Sequence, residues 1–312
     1  MKTVKSGTSE PYKILEKEYA LFAKKKYAVT CSSGTAGLHL ALLALGIEKD
    51  DEVIVPDFTM AACGFAVSYV GAKVVTVDCR ENLVIDERLI EAKITKKTKA
   101  IMAVHIYGRI CNMKAINKIA KKHKLKVIED GCEAQGILAS PYADVSVYSL
   151  YRNKIVHAEE GGIVCTNKKS IQNNVNYLKN MAFDSKHTYF HKDIGFNYRM
   201  ANSQAVLALK SLRKVKSNLK KRKQIEKWMG NGEREICWVV AMYAKTKKLR
   251  DKVVKTLPYT RYFFKPLSTM PMWKQETGEK AKYASEHGFY IIIDPSMSKK
   301  IALGIINEVK AV

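Results

Sequence analysis

The sequence lacks any uninterrupted apolar run of about 18 residues, although 47% of its 312 residues are hydrophobic. Without such a run we expect no membrane-spanning helix. The first residues, MKTVKSGTSEP, are polar with no apolar segment behind them, so we expect no secretory signal and a cytoplasmic location. A chain of this length can bury a sizeable core, which predicts one large domain and a smaller second one.

Paired cysteine motifs of the CxxC kind are also absent. The seven cysteines are scattered along the chain. This pattern favours buried thiols in a reducing compartment over disulfides or a metal site, and we expect no bound metal.

Acidic residues are few compared with basic ones, 30 against 54, which gives a net charge of +24. Such an excess is typical of proteins that bind nucleic acid, a membrane surface or an anionic substrate. Most of the excess is lysine, and aromatic residues are not interleaved with the lysine runs as stacking platforms would be. We therefore expect lysines on solvated helix faces and no nucleic-acid or membrane partner. The positive field is compatible with a nucleotide-linked substrate.

Strand-like and helix-like segments alternate over the first two thirds of the chain. Strands are predicted at 27–31, 52–55, 73–78, 100–106, 126–130, 144–150 and 162–166, and helices at 11–25, 36–46, 61–70 and 113–124. This order predicts an α/β fold with a mostly parallel central sheet and helices on both faces. Ligands of such sheets bind outside the carboxyl ends of the strands.

The pattern changes at about Ser211, where a long basic helix is predicted over 211–228. Short strands at 236–243 and 289–293 and a helix at 298–309 follow. We predict a large domain over residues 1–212 and a small α+β domain over residues 213–312.

A turn of hydroxyl and glycine residues, Ser33-Gly34-Thr35-Ala36, opens the helix after the first strand. Free backbone amides, hydroxyl groups and the positive end of the helix dipole can together bind a phosphate. An ordinary helix N-cap explains the same residues, and both interpretations stay open on this motif alone.

Two charged residues follow strands near the expected ligand-binding edge. Asp130 ends the strand KVIED, where a buried acid needs either a cationic partner, such as the ring nitrogen of a cofactor, or a helix N-terminus to cap. Lys154 lies four residues after the strand DVSVYSL. A lysine becomes nucleophilic when burial or a neighbouring cation lowers its pKa, although any one lysine in so basic a chain is a weak candidate.

The order and spacing of these motifs are more informative than any one motif alone. The segments SSGTAGLHLALLALGI, DEVIVPDFTM, GAKVVTVD, TKAIMAVHIYG, KVIEDGCEAQG, SVYSLYRNK, EEGGIVCTN and IGFNYRM run collinearly from about residue 10 to about residue 215. In this the chain resembles the DegT/DnrJ/EryC1/StrS family of sugar-nucleotide aminotransferases. The resemblance implies the type I fold of pyridoxal-phosphate enzymes, pyridoxal 5'-phosphate as cofactor, and transfer of an amino group.

The resemblance also implies roles for single residues. Lys154 matches the lysine that binds the cofactor as a Schiff base and later moves a proton between cofactor and substrate. Asp130 is similar to the aspartate that keeps the pyridine nitrogen protonated, which makes the ring an electron sink. Glu133 lies where the family has Gln or Glu near the ring hydroxyl.

Further positions match the family's contacts to the cofactor phosphate and ring face. Gly34 and Thr35 resemble the phosphate-binding turn and Ser149 the phosphate-contacting serine, while Met60 lies where a residue covers the ring. Asn197 resembles the asparagine that reaches the phosphate from a neighbouring subunit, which implies a homodimer with shared sites.

Four features depart from the family pattern. Met60 replaces a residue that is often aromatic, Leu150 replaces a phenylalanine, and Ser268 replaces a common histidine. The C-terminal part is short around 226–238, which leaves little room for the usual small-domain sheet. These departures concern the substrate side of the expected site.

Within the family, Pro-Asp-Phe-Thr-Met and Glu133 look most similar to the perosamine-synthase types, which aminate GDP-4-keto-6-deoxymannose with L-glutamate as expected donor. Tyr107, Tyr151 and Arg199 are candidate substrate contacts. The alternatives are a 3- or 4-aminotransferase for a dTDP- or UDP-linked ketosugar, a sugar dehydratase of the family, and a non-catalytic regulatory or nucleic-acid-binding relative. Dehydratases carry histidine where this chain has Lys154, which argues against that alternative.

Overall fold

A seven-stranded sheet forms the centre of the molecule. The computed structural model describes residues 10–137, 139–184, 188–230 and 236–312. The strands of this sheet are β1 (Tyr27–Cys31), β2 (Glu52–Pro56), β3 (Lys73–Val77), β4 (Thr98–Val104), β5 (Lys126–Asp130), β6 (Val145–Ser149) and β7 (Gly162–Thr166), in the spatial order β1-β7-β6-β5-β4-β2-β3. Strands β2 to β6 run parallel, whereas β7 lies antiparallel between β1 and β6.

Helices cover both faces of this sheet. Val53 and Val55 of β2 belong to the core that includes Leu38 and Leu42, whereas Ile54 between them belongs to a second core with Ile116. Alternate residues of a strand point to opposite faces, so both faces are buried. The helices are α1 (Pro11–Ala23), α2 (Gly34–Ala44), α3 (Ala62–Tyr69), α4 (Glu87–Ile90), α5 (Met113–Lys122), α6 (Lys169–Lys179), α7 (Asn202–Arg213), α8 (Val215–Trp228), α9 (Lys247–Thr256), α10 (Glu279–His287) and α11 (Lys299–Ala311). The predicted mostly parallel α/β fold is confirmed.

The C-terminal part contains its own small sheet. Strands β8 (Val239–Tyr243), β10 (Gly288–Ile292) and β9 (Thr260–Tyr262) pair antiparallel in that order. A third core, which includes Val240, Ile291 and Ile305, lies between this sheet and the surrounding helices. The strands predicted at 236–243 and 289–293 are therefore present, and the short C-terminal part still accommodates a small sheet. The domain boundary at residue 212 stays a prediction.

One predicted helix was misplaced. The basic helix expected over 211–228 is the end of α7 and the whole of α8, which meet at Lys214. At the start of α7 the Gln204 side chain accepts a hydrogen bond from the Ala201 amide at 3.2 Å. Within the described ranges, no helix is both long and apolar enough to cross a membrane.

Candidate active site

A cavity of about 350 Å³ lies at the carboxyl ends of the parallel strands, beside the N-terminus of α2. It is lined by eight of the predicted site residues: Gly34, Thr35, Met60, Asp130, Glu133, Ser149, Tyr151 and Lys154. These residues are far apart in sequence, and they meet because parallel strands present their carboxyl ends at the same sheet edge. Met60 lies at the rim with 51% of its surface exposed.

The N-terminus of α2 forms one wall of the cavity. Ser33 caps the helix, since its hydroxyl accepts a hydrogen bond from the Ala36 amide at 3.0 Å. The first amides of a helix have no acceptor within the helix, and they attract an anion. A Cβ atom at Gly34 would lie 2.9 Å from the Ser149 Cβ, so only glycine lets this turn approach β6 so closely. The N-cap interpretation of the motif is therefore confirmed. Phosphate binding by this turn stays a prediction, and the position of Gly34 and Thr35 in the cavity lining is compatible with it.

Asp130 is a buried carboxylate at the end of β5, with 5% of its surface exposed. Its Oδ1 accepts a hydrogen bond from the Cys132 amide at 2.9 Å, and its Oδ2 accepts one from the Cys63 thiol at 3.4 Å. Burial raises the pKa of Cys63, so this thiol keeps its proton. No basic side chain of the described chain forms an ion pair with Asp130. A buried carboxylate in this situation has room for a cationic ligand.

Lys154 enters the cavity between an acid and an aromatic ring. Its Nζ lies 3.6 Å from Glu133 Oε1 and 3.9 Å from the centroid of the Trp238 ring. The indole Nε1 of Trp238 donates a hydrogen bond to the Asn153 carbonyl at 2.8 Å, which fixes the ring over the lysine. A cation is attracted by the face of an aromatic ring, so Trp238 and Glu133 together hold the amine in place.

Glu133 is a buried carboxyl in the cavity, and its pKa is raised. Burial raises its pKa from 4.5 to about 7, although the Lys154 ammonium and the Tyr107 amide both act to lower it. The Tyr107 amide reaches Glu133 Oε2 at 2.9 Å because Tyr107 adopts a left-handed backbone conformation with φ of 51°. Near neutral pH this carboxyl exists in both protonation states.

Three predicted residues do not line the cavity. Tyr107 was expected to contact substrate, but its side chain is buried behind the wall, where its hydroxyl accepts a hydrogen bond from the Phe264 amide at 3.3 Å. Its contribution to the site is its backbone amide. Asn197 and Arg199 are exposed outside the cavity, and Arg199 Nε donates to Asn197 Oδ1 at 3.0 Å. Their predicted roles stay predictions.

Several lining residues were not predicted from the sequence. The aromatic wall is formed by Trp238, Phe264 and Tyr290, all from the C-terminal part of the chain. Phe264 lies in the segment RYFFKPLSTMPMW, which resembles the family's substrate-side strand and loop, but no local motif marks Trp238 or Tyr290. Thr59 and Asn153 also line the cavity, and they could have been found as neighbours of Met60 and Lys154.

Comparison with known proteins decides the family. The model of the DegT/DnrJ/EryC1/StrS aminotransferase family matches residues 4–236. The chain belongs to this family. It is 35% identical over 301 residues to the GDP-perosamine synthase of Caulobacter vibrioides, covering 88% of this chain and 81% of that protein. The GDP-perosamine synthase of Escherichia coli O157:H7 is 35% identical over 304 residues, covering 90% of this chain and 83% of that protein.

Solved structures agree with this assignment. The crystal structure of DesV from S. venezuelae has a TM-score of 0.88 and 26% identity, covering 97% of this chain and 89% of that one. As a member of the DegT/DnrJ/EryC1/StrS family, the chain is a pyridoxal-phosphate-dependent aminotransferase. The predicted family, activity and cofactor are confirmed.

The cavity residues fit this cofactor. The N-terminus of α2 and Ser149 offer donors for a phosphate, and the buried Asp130 carboxylate suits a protonated ring nitrogen. Lys154 supplies an amine that can attach to the cofactor aldehyde. The described residues contain no group of three or more histidine, cysteine or acidic side chains that could hold a metal ion.

The raised pKa of Glu133 predicts a pH-dependent stability difference. The folded protein holds the Glu133 proton more tightly than the unfolded chain, so ionisation destabilises the fold as pH rises from about 4.5 through about 7. Glu133→Gln has no such ionisation. The difference in free energy of unfolding between Glu133→Gln and wild type should therefore shift in favour of the variant by on the order of 1–3 kcal/mol from pH 5 to pH 8. Urea unfolding of the cofactor-free protein at each pH measures this.

Glu160→Gln is the matched control, because Glu160 lines the same cavity but is exposed. Its unfolding free energy should follow that of wild type at every pH. Equal pH profiles for wild type and Glu133→Gln would contradict the prediction.

Proposed function

We propose that the chain is a sugar-nucleotide aminotransferase that converts GDP-4-keto-6-deoxymannose into GDP-perosamine, with L-glutamate as the amino donor. The observation that carries this proposal is the meeting of Lys154, Asp130 and the N-terminus of α2 in one cavity. The two GDP-perosamine synthases that match about nine tenths of the chain support the choice of substrate.

Four groups would hold the cofactor. The backbone at Gly34 and Thr35 and the hydroxyl of Ser149 would bind its phosphate, and Asp130 would pair with its ring nitrogen. When bound, pyridoxal phosphate would supply a ring that stabilises the electron pair released at the α-carbon and an aldehyde that can carry the amino group. The hydrogen bonds from Cys132 and Cys63 keep the Asp130 carboxylate oriented towards the cavity.

Lys154 would act as the base of the reaction. Its Nζ would remove the proton from the α-carbon of the donor and deliver a proton to the sugar carbon that receives the amino group. Glu133 lies 3.6 Å from this amine and can hold or release a proton near neutral pH. The contact keeps the amine of Lys154 inside the cavity during both half-reactions.

The mouth of the cavity would bind the sugar. Phe264, Tyr290 and Tyr151 offer ring faces there, and the thioether of Met60 can pack against a ring in place of the usual aromatic residue. The net charge of +24 would attract the diphosphate of the substrate.

The assembly we propose is a homodimer with shared sites in the cytoplasm. Asn197 and Arg199 are exposed, so a second copy of the chain can reach them. All seven cysteines are free thiols, which suits a reducing compartment.

The direct test is amination of the sugar nucleotide. Protein incubated with pyridoxal phosphate, L-glutamate and GDP-4-keto-6-deoxymannose should release 2-oxoglutarate and GDP-perosamine, both detectable by mass spectrometry. Lys154→Arg keeps the charge but loses the nucleophile, and it should lower kcat at least about a thousandfold.

The control is Lys168→Arg, since Lys168 forms an exposed ion pair with Asp144 and should not affect the rate. Amination of a dTDP- or UDP-linked ketosugar but not of the GDP sugar would replace the proposed substrate. A Lys154→Arg enzyme of wild-type activity would contradict the role of the lysine.

The shared site predicts complementation between inactive subunits. Mixed dimers of Lys154→Arg and Asn197→Ala chains contain one site in which both residues are intact. After subunit exchange, the activity of the mixture should exceed the sum of the two separate proteins. A monomer mass by light scattering, or no recovery in the mixture, would count against the proposed dimer.

A further inference from the structure

Gln135 is a fully buried amide behind the loop that carries Lys154. Its Oε1 accepts a hydrogen bond from the Val156 amide at 2.9 Å. Its Nε2 donates to the Val156 carbonyl at 3.0 Å and to the Ser149 carbonyl at 2.9 Å. One side chain therefore joins the end of β6 to the residue that lies two positions after Lys154.

Only an amide of this length satisfies all three backbone groups. Two carbonyl oxygens require a group with two N–H donors, and the Val156 amide requires an acceptor. A glutamate at this position would place a carboxylate oxygen against the Ser149 carbonyl, and a methionine would leave three buried polar groups without this partner.

Other hydrogen bonds also hold the loop between the two attachment points, among them the bond from Trp238 Nε1 to the Asn153 carbonyl at 2.8 Å. The Lys154 amide donates to the Tyr151 carbonyl at 2.8 Å, which closes a local turn, and the Ala158 amide donates to the Leu150 carbonyl at 2.7 Å. The bond of the Lys154 amide lies inside the loop, so it cannot fix the loop relative to the sheet. The Trp238 bond comes from the C-terminal part of the chain, whereas Gln135 links the loop to β5 through the turn that also bears Glu133.

We propose that Gln135 is a positioning residue for Lys154. It sets the distance between the lysine amine and the groups that hold the cofactor, without touching cofactor or substrate itself. Chemical attack is sensitive to placement on the scale of 1 Å, so loosening the loop slows attachment of the lysine to the cofactor while the cofactor still binds. This inference rests on the role assigned to Lys154 under the proposed function.

The test compares Gln135→Met with Gln275→Met. Gln275 makes the same kind of amide bridge on β3, where Nε2 donates to the Val74 carbonyl at 3.0 Å and Oε1 accepts from the Thr76 amide at 3.2 Å. Gln275 does not line the cavity described above. Both variants lose an amide side chain that bridges backbone groups, although Gln275 is exposed and Gln135 is buried. Only the Gln135 bridge holds the lysine loop.

Cofactor-free full-length protein is mixed with pyridoxal phosphate, reduced with borohydride after set times, and digested for mass spectrometry of the Lys154 peptide. Equilibrium dialysis of the unreduced protein measures cofactor binding separately. Gln135→Met should label Lys154 at least about tenfold more slowly than wild type at matched occupancy, and Gln275→Met within about twofold of wild type.

Equal labelling rates for wild type and Gln135→Met would overturn this inference and leave the proposed function of the chain unaffected. Labelling of wild type at a lysine other than Lys154 would overturn the proposed role of Lys154 and this inference with it. If Gln135→Met fails to fold, hydrogen exchange of wild type decides. The Val156 amide should then exchange as slowly as the amides of β6, and rapid exchange would overturn the inference.

Discussion

The burial of three ionisable groups at one sheet edge is the constraint on which the site depends. Asp130, Glu133 and Lys154 all lie in a cavity of about 350 Å³, where an unpaired charge is costly. Fixed partners stabilise each buried group. Asp130 accepts hydrogen bonds from a backbone amide and a thiol, Glu133 accepts one from the Tyr107 amide, and Lys154 lies over the Trp238 ring. Asp130 has no basic side chain as an ion-pair partner among the described residues, and a buried carboxylate of this kind suits a cationic ring.

The C-terminal part of the chain completes the cavity despite its short length. Trp238 covers Lys154, and Phe264 and Tyr290 form the rest of the aromatic wall. Ser268, which replaces a common histidine, is buried and donates a hydrogen bond to Asp57 Oδ2 at 2.8 Å. Since Asp57 follows β2 directly, this bond ties the loop that bears Met60 to the C-terminal segment. The substitution therefore serves packing between the two parts of the chain.

The resemblance to the family was needed to single out Lys154 among the many lysines, whereas local patterns were enough to predict most strands and the place of Asp130 and Lys154 after a strand. Each of these features depends on periodicity or on a residue's place after a strand. The antiparallel placement of β7 between β1 and β6 depends on pairing between distant segments, which no local pattern encodes. For the same reason, local patterns do not predict that Trp238 and Tyr290 line the cavity. Tyr107 follows a strand, and this position predicts a side chain in the cavity. Its left-handed conformation turns the amide inward and the ring away.

The most direct measurement is a crystal structure of the protein grown with pyridoxal phosphate. The account predicts continuous electron density from Lys154 Nζ to the cofactor, with the ring nitrogen facing Asp130 and the phosphate at the N-terminus of α2. A cofactor bound with its phosphate elsewhere, or attached to a different lysine, would contradict it.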